Sequence, residues 1–430
     1  MPNRLPARLI LACTLWPAFH APAADIRWTH LSSTKGELPV PAGSHQQTGV
    51  LVADLDKNGS QDFLICFRVK APALVWFRRT GDGWMQYVID PDFLTLEAGG
   101  ASYDIDGDGD LDVVFGDDAK GTNLYWWENP APHFDPAVPW RRRSIKDGGA
   151  KQHHDQIFAD FKGTGRPQLA YWNQRAKALF LAGIPVNPKD SGPWPAEAIF
   201  SGQAGEGEQK AASYAEGVDA VDIDGDGKLD LLAGNYWFKH EGGNQFRPVK
   251  VGATGGRIKG GRFKKGKNAQ IVIGPGDGSG PLTFYECAGN PTDPSCWKGR
   301  DLLGQELIHG HTLDVGDIDG DGKLDIFAAE MAKWTNGPKV DRPEAQSWIL
   351  YGNGKGGFKK TVFTTGHGWH EGRLGDLDGD GDLDVLGKPY TWETPRVDAW
   401  LNNGTARKGS FQGPLSMELW SYRRTWARTC

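Results

Sequence analysis

The chain has 430 residues, a formal net charge of −6, and 59 glycines, 27 prolines and 18 tryptophans. This is the composition of a turn-rich, aromatic-rich β protein with ample core, and it leaves no basic footprint for nucleic acid. Beyond the N-terminus, no segment approaches the apolar length needed to span a bilayer.

Residues 1–23 read as a secretory signal. Arg4 and Arg8 precede an apolar stretch from Leu9 to Phe19, and Ala21-Pro22-Ala23 offers a small-residue cleavage site. Too little apolar sequence precedes Cys13 for a lipoprotein signal. The expectation is therefore a secreted or periplasmic protein, with residues 24–430 as its mature domain. IRWTHLSS, from Ile26 to Ser33, resembles an outermost strand that has lost its own blade.

From there the chain repeats one acidic sentence five times. The loops supply Asp54, Asp56, Asn58 and Asp62; Asp104, Asp106, Asp108 and Asp112; Asp222, Asp224, Asp226 and Asp230; Asp317, Asp319, Asp321 and Asp325; and Asp376, Asp378, Asp380 and Asp384. Carboxylates at positions 1, 3 and 9, Asp or Asn at 5 and Gly at 6 suit a small calcium cage. Hard oxygen ligands converge there, and glycine permits the sharp reversal. An EF-hand would need a bidentate Glu at position 12 and flanking helices. Position 12 here is apolar or small, and both flanks read as strands, so the loop joins two strands and about five structural Ca2+ ions are expected.

Two weaker copies complete the set. DFKGTGRPQ from Asp160 keeps one Asp and the glycines, whereas RFKKGKNAQ from Arg262 has no carboxylate; both should fold without metal. Seven units thus begin near residues 54, 104, 160, 222, 262, 317 and 376. That period, with several short strands per unit, predicts an all-β, seven-bladed β-propeller whose calcium loops join the first two strands of five blades. The Ile26 strand is expected to complete blade 7, with the C-terminal MELWSYRR as its rival. The aromatic runs VWF, YWW, LFL, TFYE and WILYG read as packing between blades. Cys287 and Cys296 bracket a loop-like stretch suited to a disulfide, and Cys66 reads as a buried thiol. The repeats resemble the FG-GAP or VCBS family, whose calcium loops sit in propeller blades; that resemblance speaks to fold and little to function.

Histidine placement carries the functional signal. Of 11 histidines, seven (His45, His153, His154, His309, His311, His367 and His370) lie six to nine positions before a repeat loop. Those windows hold 28 residues, so random placement would put fewer than one there. Six residues of strand cover about 20 Å, one blade height. His154, His311 and His370 share the sixth position upstream, and Glu216 occupies it in blade 4. They should converge at the channel mouth opposite the loops. A second set arrives from the next strand: Asp117, Asn173, Asn235, Asp277, Glu330 and Lys388, with Tyr236 and Tyr390 following; Arg373 lies in the channel-lining strand. His154, Glu216, His311 and His370 match the ligand set of Zn2+ or another divalent metal.

HHDQIFADF, HGHTLDVGDIDGDGKLDIFAAEM and HEGRLGDLDGDGDLDVLGKPYTWETPRVDAWLN resemble the propeller domain of aldos-2-ulose dehydratase and its bacterial relatives. The resemblance implies elimination of water from an oxidised sugar such as 1,5-anhydrofructose at a metal-assisted site. The family's cupin domains have no counterpart in a chain of this length. Elimination beside a carbonyl needs a base, an electrophile for the enolate and an acid for the departing oxygen. A His-bound metal or Arg373 would hold the enolate, His154 or His311 would be the base, and Tyr390 or Lys388 the acid, with Glu330 and His370 completing the site. The same parts would serve a polysaccharide lyase on uronic-acid glycans. A non-catalytic propeller binding glycan or protein is the third reading.

Overall fold

The computed structural model describes residues 26–405, apart from 82, 191, 202–215, 254, 332–342 and 392–393. The described residues form seven four-stranded antiparallel sheets, the blades of a propeller. Blades 1 to 6 span 47–90, 101–146, 153–201, 218–250, 258–301 and 312–365. Blade 7 takes three strands from 371–405, and its fourth is Ile26–Ser32, which pairs antiparallel with Asp398–Thr405. The N-terminal strand therefore closes the ring, removing an open sheet edge. MELWSYRR, Cys430 and the signal segment lie outside the described residues.

The second strand of each blade explains its own composition. Asp62–Phe67, Asp112–Gly116, Gln168–Asn173 and Asp325–Ala329 are buried at every position, because each is flanked by sister strands and covered by a neighbouring blade on both faces. Seven apolar clusters fill the seven blade interfaces: Trp76 with Phe115 and Trp127 joins blades 1 and 2, and Trp348 with Phe284 joins blades 5 and 6. Trp76, Trp126, Trp127, Trp237, Trp348 and Trp369 are fully buried, so the aromatic runs are core.

Every repeat loop links the first and second strand of its blade, with strands on both sides. The glycine at loop position 6 has positive φ in all five acidic copies, for example +93° at Gly109 and +91° at Gly381. Position 1 accepts the turn's amides, as Asp104 does from Gly107 and Gly109 at 2.8 and 3.1 Å. Position 9 does a second job: Asp112 accepts Ile105 N–H and Asn129 N–H at 3.0 and 2.9 Å, tying the loop to the third strand. In the two degenerate blades a glutamine stands at that position. Gln168 and Gln270 accept Lys162 N–H and Lys264 N–H, each at 3.1 Å, so the acceptor is kept and the charge is dropped.

Cys287 and Cys296 form a disulfide. Cys66 is buried, and burial pushes its thiol up to about 12.

Candidate functional site

The first strands line the axis, and two successive rungs of them build the site. The rung five residues before the loops holds Gly49, Gly99, Asp155, Gly217, Arg257, Thr312 and Glu371. Glycine is required where the rung is tightest: a Cβ on Gly99 would sit 2.6 Å from Asp155 Cα, and one on Gly217 2.7 Å from Ile258 N. The space so left is filled by charge. Arg257 donates to Asp155 and, at 3.0 Å, to Glu371, which also accepts Arg373 at 2.9 Å and Val50 N–H at 2.8 Å. This buried belt separates two cavities along the channel. The one toward the loops, about 250 Å³, is lined by Asp155, Arg257, Lys259 and Arg373.

The rung one residue further from the loops faces the other cavity, about 170 Å³. His154, Glu216, His311 and His370 all line it, with Tyr390, Arg68, Glu97, Asp118 and Asp277. One ligand atom each from His154, Glu216 and His311 lies within 4.8 Å of the others, and all three side chains are buried. The His311 ring stacks on His370 at 4.1 Å, and His154 meets His311 edge-on at 5.5 Å. A β-bulge follows His154, where Asp155 takes φ +44°, so consecutive residues both turn to the axis.

The electrostatics follow from this packing. Burial raises the Asp155 carboxyl, but Arg257 and His154 outweigh it and hold it well below the usual carboxylate range. Burial alone would lower His154; the Asp155 carboxylate 2.6 Å from Nδ1 overrides this and raises it to about 9. Burial, with Asp277 adding to it, raises Glu216 to about 7. Glu216 Oε2 accepts no hydrogen bond; His311 Nε2 lies 3.4 Å away and Arg257 Nε 4.0 Å. A buried carboxylate oxygen facing two imidazoles is a donor set that fits a divalent transition metal.

Two stretches of the sequence, 214–247 and 317–387, match models of the FG-GAP repeat and the FG-GAP-like repeat. The chain carries FG-GAP repeats. No curated protein matches it. Among solved structures it is similar to BBS1N in complex with ARL6DN (TM-score 0.50, 11% identity, 84% of this chain and 94% of that one). It is also similar to the V. cholerae biofilm matrix protein Bap1 (0.44, 10%, 85% and 89%) and to the rhamnogalacturonan lyase YesW (0.42, 12%, 84% and 73%). At such identities the likeness concerns the propeller fold alone.

In the propeller the acidic loops group their carboxylates unequally. Asp104, Asp106 and Asp108; Asp222, Asp224 and Asp230; Asp317, Asp319 and Asp325; and Asp376, Asp378 and Asp384 each bring three oxygens within 4.8 Å of one another. The Asp54 loop is not among these groups; its Asp56 accepts Arg78 Nε at 2.6 Å.

Several sequence candidates stand elsewhere. His370 lies outside the grouped ligand set; Lys388 donates to its Nδ1 at 3.3 Å, which leaves the other ring nitrogen as the N–H donor. Lys388 is fully buried, spending its other hydrogens on the carbonyls of Gln47 and Thr48 at 2.7 and 2.9 Å, and does not reach the cavity as an acid. Glu330 caps Ile308 N–H and Gln346 N–H at 3.1 and 3.0 Å, away from the cavity. Arg373 lies beyond the belt, on the loop side. His154 spends Nδ1 on Asp155, so only its other ring nitrogen is left to face the cavity. Of the other upstream histidines, His153 is buried against Asn173 at 3.2 Å, His309 meets the Asp277 carbonyl at 2.7 Å, and His367 meets Arg396 at 3.3 Å. From the second set only Asp277 and Tyr390 line the cavity.

Sequence reasoning missed the belt. Its signal was available one position over: Asp155, Arg257 and Glu371 are the charged residues on a rung that is otherwise Gly or Thr. Arg68, Glu97 and Asp118 carried no register signal, because they follow or precede strands in connections of individual shape.

Proposed function

We propose that this FG-GAP propeller is a carbon–oxygen lyase that removes water from a neutral oxidised sugar of ketosugar type at the channel mouth. The observation that carries the reading is the convergence of His154, Glu216 and His311 in one buried polar cavity. Those three would hold a divalent metal such as Zn2+, which when bound supplies a positive centre beside the carbonyl where enolate charge develops. The chain's own residues set the surroundings. The Asp155–Arg257–Glu371 belt is the cavity's floor, and its hydrogen bonds fix His154. His370 presents an N–H donor, stacked between His311 and Tyr390, whose ring lies 4.7 Å away.

The lining weighs against uronic-acid glycans. With Glu216 given to the metal, Glu97, Asp118 and Asp277 are three carboxyls on the wall beside Arg68, which already takes up two of them, and a substrate carboxylate would need further cations around it. A neutral sugar meets no such penalty. We also infer calcium in the acidic loops, where grouped carboxylates fit a hard cation. An extracytoplasmic location accords with residues 1–23 and with the Cys287–Cys296 disulfide.

Elemental analysis of the native protein, with ultraviolet monitoring of conjugated-enone formation on 1,5-anhydrofructose, other ketosugars and uronate oligomers, tests this. One transition metal per chain and absorbance growth on ketosugars alone are expected. Growth on uronates would favour the lyase. Absence of both metal and elimination would leave a sugar- or protein-binding propeller.

A further inference from the structure

Glu97, buried, and Asp118, half-buried, form a carboxyl pair on the cavity wall that neither the histidine set nor the belt uses. Their meeting is dictated by backbone. Leu96 and Asp117 make an antiparallel bridge, with Glu97 N–H donating to Gly116 O at 2.8 Å and Asp118 N–H to Thr95 O at 2.6 Å. Side chains at 95, 97 and 118 therefore share one face, and at Gly116, opposite Glu97, the place of a side chain is taken by His153. Arg68 Nη1 reaches both carboxyls, at 3.2 Å to Glu97 and 2.9 Å to Asp118. The guanidinium is itself fixed by Gln46 Oε1, 3.0 Å from its Nε, and lies 5.1 Å from the centre of the Tyr390 ring. Glu97 Oε1 also accepts Ala98 N–H at 2.9 Å.

One guanidinium cannot neutralise two adjacent carboxylates withdrawn from solvent, so the pair retains a proton. The groups facing Glu97 are Arg68, Asp118 and the ring of His154. Burial raises Glu97 to about 8, with Arg68 opposing and Asp118 adding, whereas Asp118 is lowered through its hydrogen bond with Glu97 and the charge of Arg68, against burial. Glu97 is the more buried of the two, so charge is costlier on it and the pair's proton is favoured there, with Asp118, closer to Arg68, as the carboxylate.

We propose that Glu97 is the general acid of the elimination, delivering its proton to the departing hydroxyl with Asp118 and Arg68 holding it in place. This rests on the dehydratase reading. In the step, the α-carbon gives its proton to a base, the electron pair forms the C=C bond, the C–O bond to the β-carbon breaks, and the leaving oxygen takes the Glu97 proton and departs as water. Glu97 is then a carboxylate and the base holds the α-proton; the base releases that proton to solvent and Glu97 regains one from it, so the cycle closes with no oxidant or reductant involved. The substrate class is a 2-ketosugar with a free hydroxyl β to the carbonyl.

The test compares Glu97→Gln with wild type on 1,5-anhydrofructose and on the analogue carrying fluoride in place of the β-hydroxyl. Fluoride departs without protonation, so the variant's defect should depend on the leaving group. A positioned acid contributes about 10²–10⁴-fold. A kcat loss of that order on the hydroxyl substrate, shrinking at least about tenfold on the fluoride with KM little changed, is the expected result. Turnover of the fluoride also shows that the variant is folded. Equal losses on both substrates, or no loss on either, overturn the acid role while wild-type activity keeps the dehydratase reading intact. A wild-type protein that eliminates from neither substrate overturns that reading and this role with it. Asp118→Asn, which leaves Glu97 without its carboxylate neighbour, should show a smaller defect with the same dependence on leaving group.

Discussion

Arg257→Met isolates the belt's contribution to the fold. Arg257 is 4% exposed, Asp155 5% and Glu371 0%, so the substitution leaves two carboxylates buried together without their shared cation. Burial opposes the Arg257 charge, but Asp155, Glu371 and Glu216 raise its affinity for the proton above the ordinary arginine value. Removing one partner of a buried ion pair costs about 3–5 kcal/mol. With an unfolding entropy of about 2.1 cal/mol/K per residue, a chain of this size changes by about 0.8 kcal/mol per degree, which converts to about 4–6 °C in Tm. Scanning calorimetry at neutral pH, in excess calcium so that loop occupancy stays constant, reads this directly. Arg257→Lys should recover only part of the loss, because one ammonium cannot reproduce the fork that reaches both Asp155 and Glu371. The triple change Asp155→Asn, Arg257→Met and Glu371→Gln should recover part of it, because the two belt carboxylates are gone, although Arg373 loses Glu371 and Glu216 loses Arg257. A Tm for Arg257→Met within about 1 °C of wild type would refute the argument that the belt is a desolvated ion-pair network.

Calcium removal should be the larger perturbation: an ion at 100 times its Kd adds about 2.7 kcal/mol per site, so chelation should lower Tm on the order of 10 °C if four loops are filled. Asp106→Ala or Asp319→Ala should lower the measured calcium content by one, and an unchanged melt in chelator would count against a structural role. His311→Ala should lose the transition metal and the elimination activity while calcium content stays the same; retention of stoichiometric metal would show that the ion lies elsewhere. At the ring seam, burial raises the Asp398 carboxyl, but His30 at 3.0 Å and Arg396 at 2.7 Å outweigh it and hold it below 3.8. A depressed carboxyl contributes stability above the unfolded value that is lost as pH falls through the folded one. Asp398→Asn should therefore lower Tm by about 2–4 °C at pH 7, from about 1.5–3 kcal/mol of charged hydrogen bonding. The difference should fade as pH falls through and below the ordinary carboxylate range; a difference that stays constant into strong acid would show that the seam does not depend on this charge.

What the sequence by itself determined is local and repetitive. Loop position 6 needs glycine whatever surrounds it, an apolar run after each loop makes a buried second strand, and seven such units make seven blades. Counting back along a straight strand was enough to bring His154, Glu216, His311 and His370 to one cavity, because strand rise is uniform and the blades share a register. Ile26–Ser32 was legible as a candidate for the fourth strand of blade 7, beside MELWSYRR, because it precedes the first full unit and reads as an outermost strand. Tertiary structure alone decided which of these neighbours act together. The bulge at Asp155 turns two successive side chains inward, which no alternation rule anticipates. Arg257 finds Asp155 and Glu371 only because blades 3, 5 and 7 face one another across a closed ring. Glu330 and Lys388 occupy equivalent strand ends yet turn to backbone amides and carbonyls, since a buried polar group takes the nearest partner and each blade's connections offer a different one. The pairing of Glu97 with Asp118 depends likewise on a single bridge outside the repeat, where register supplies no prediction.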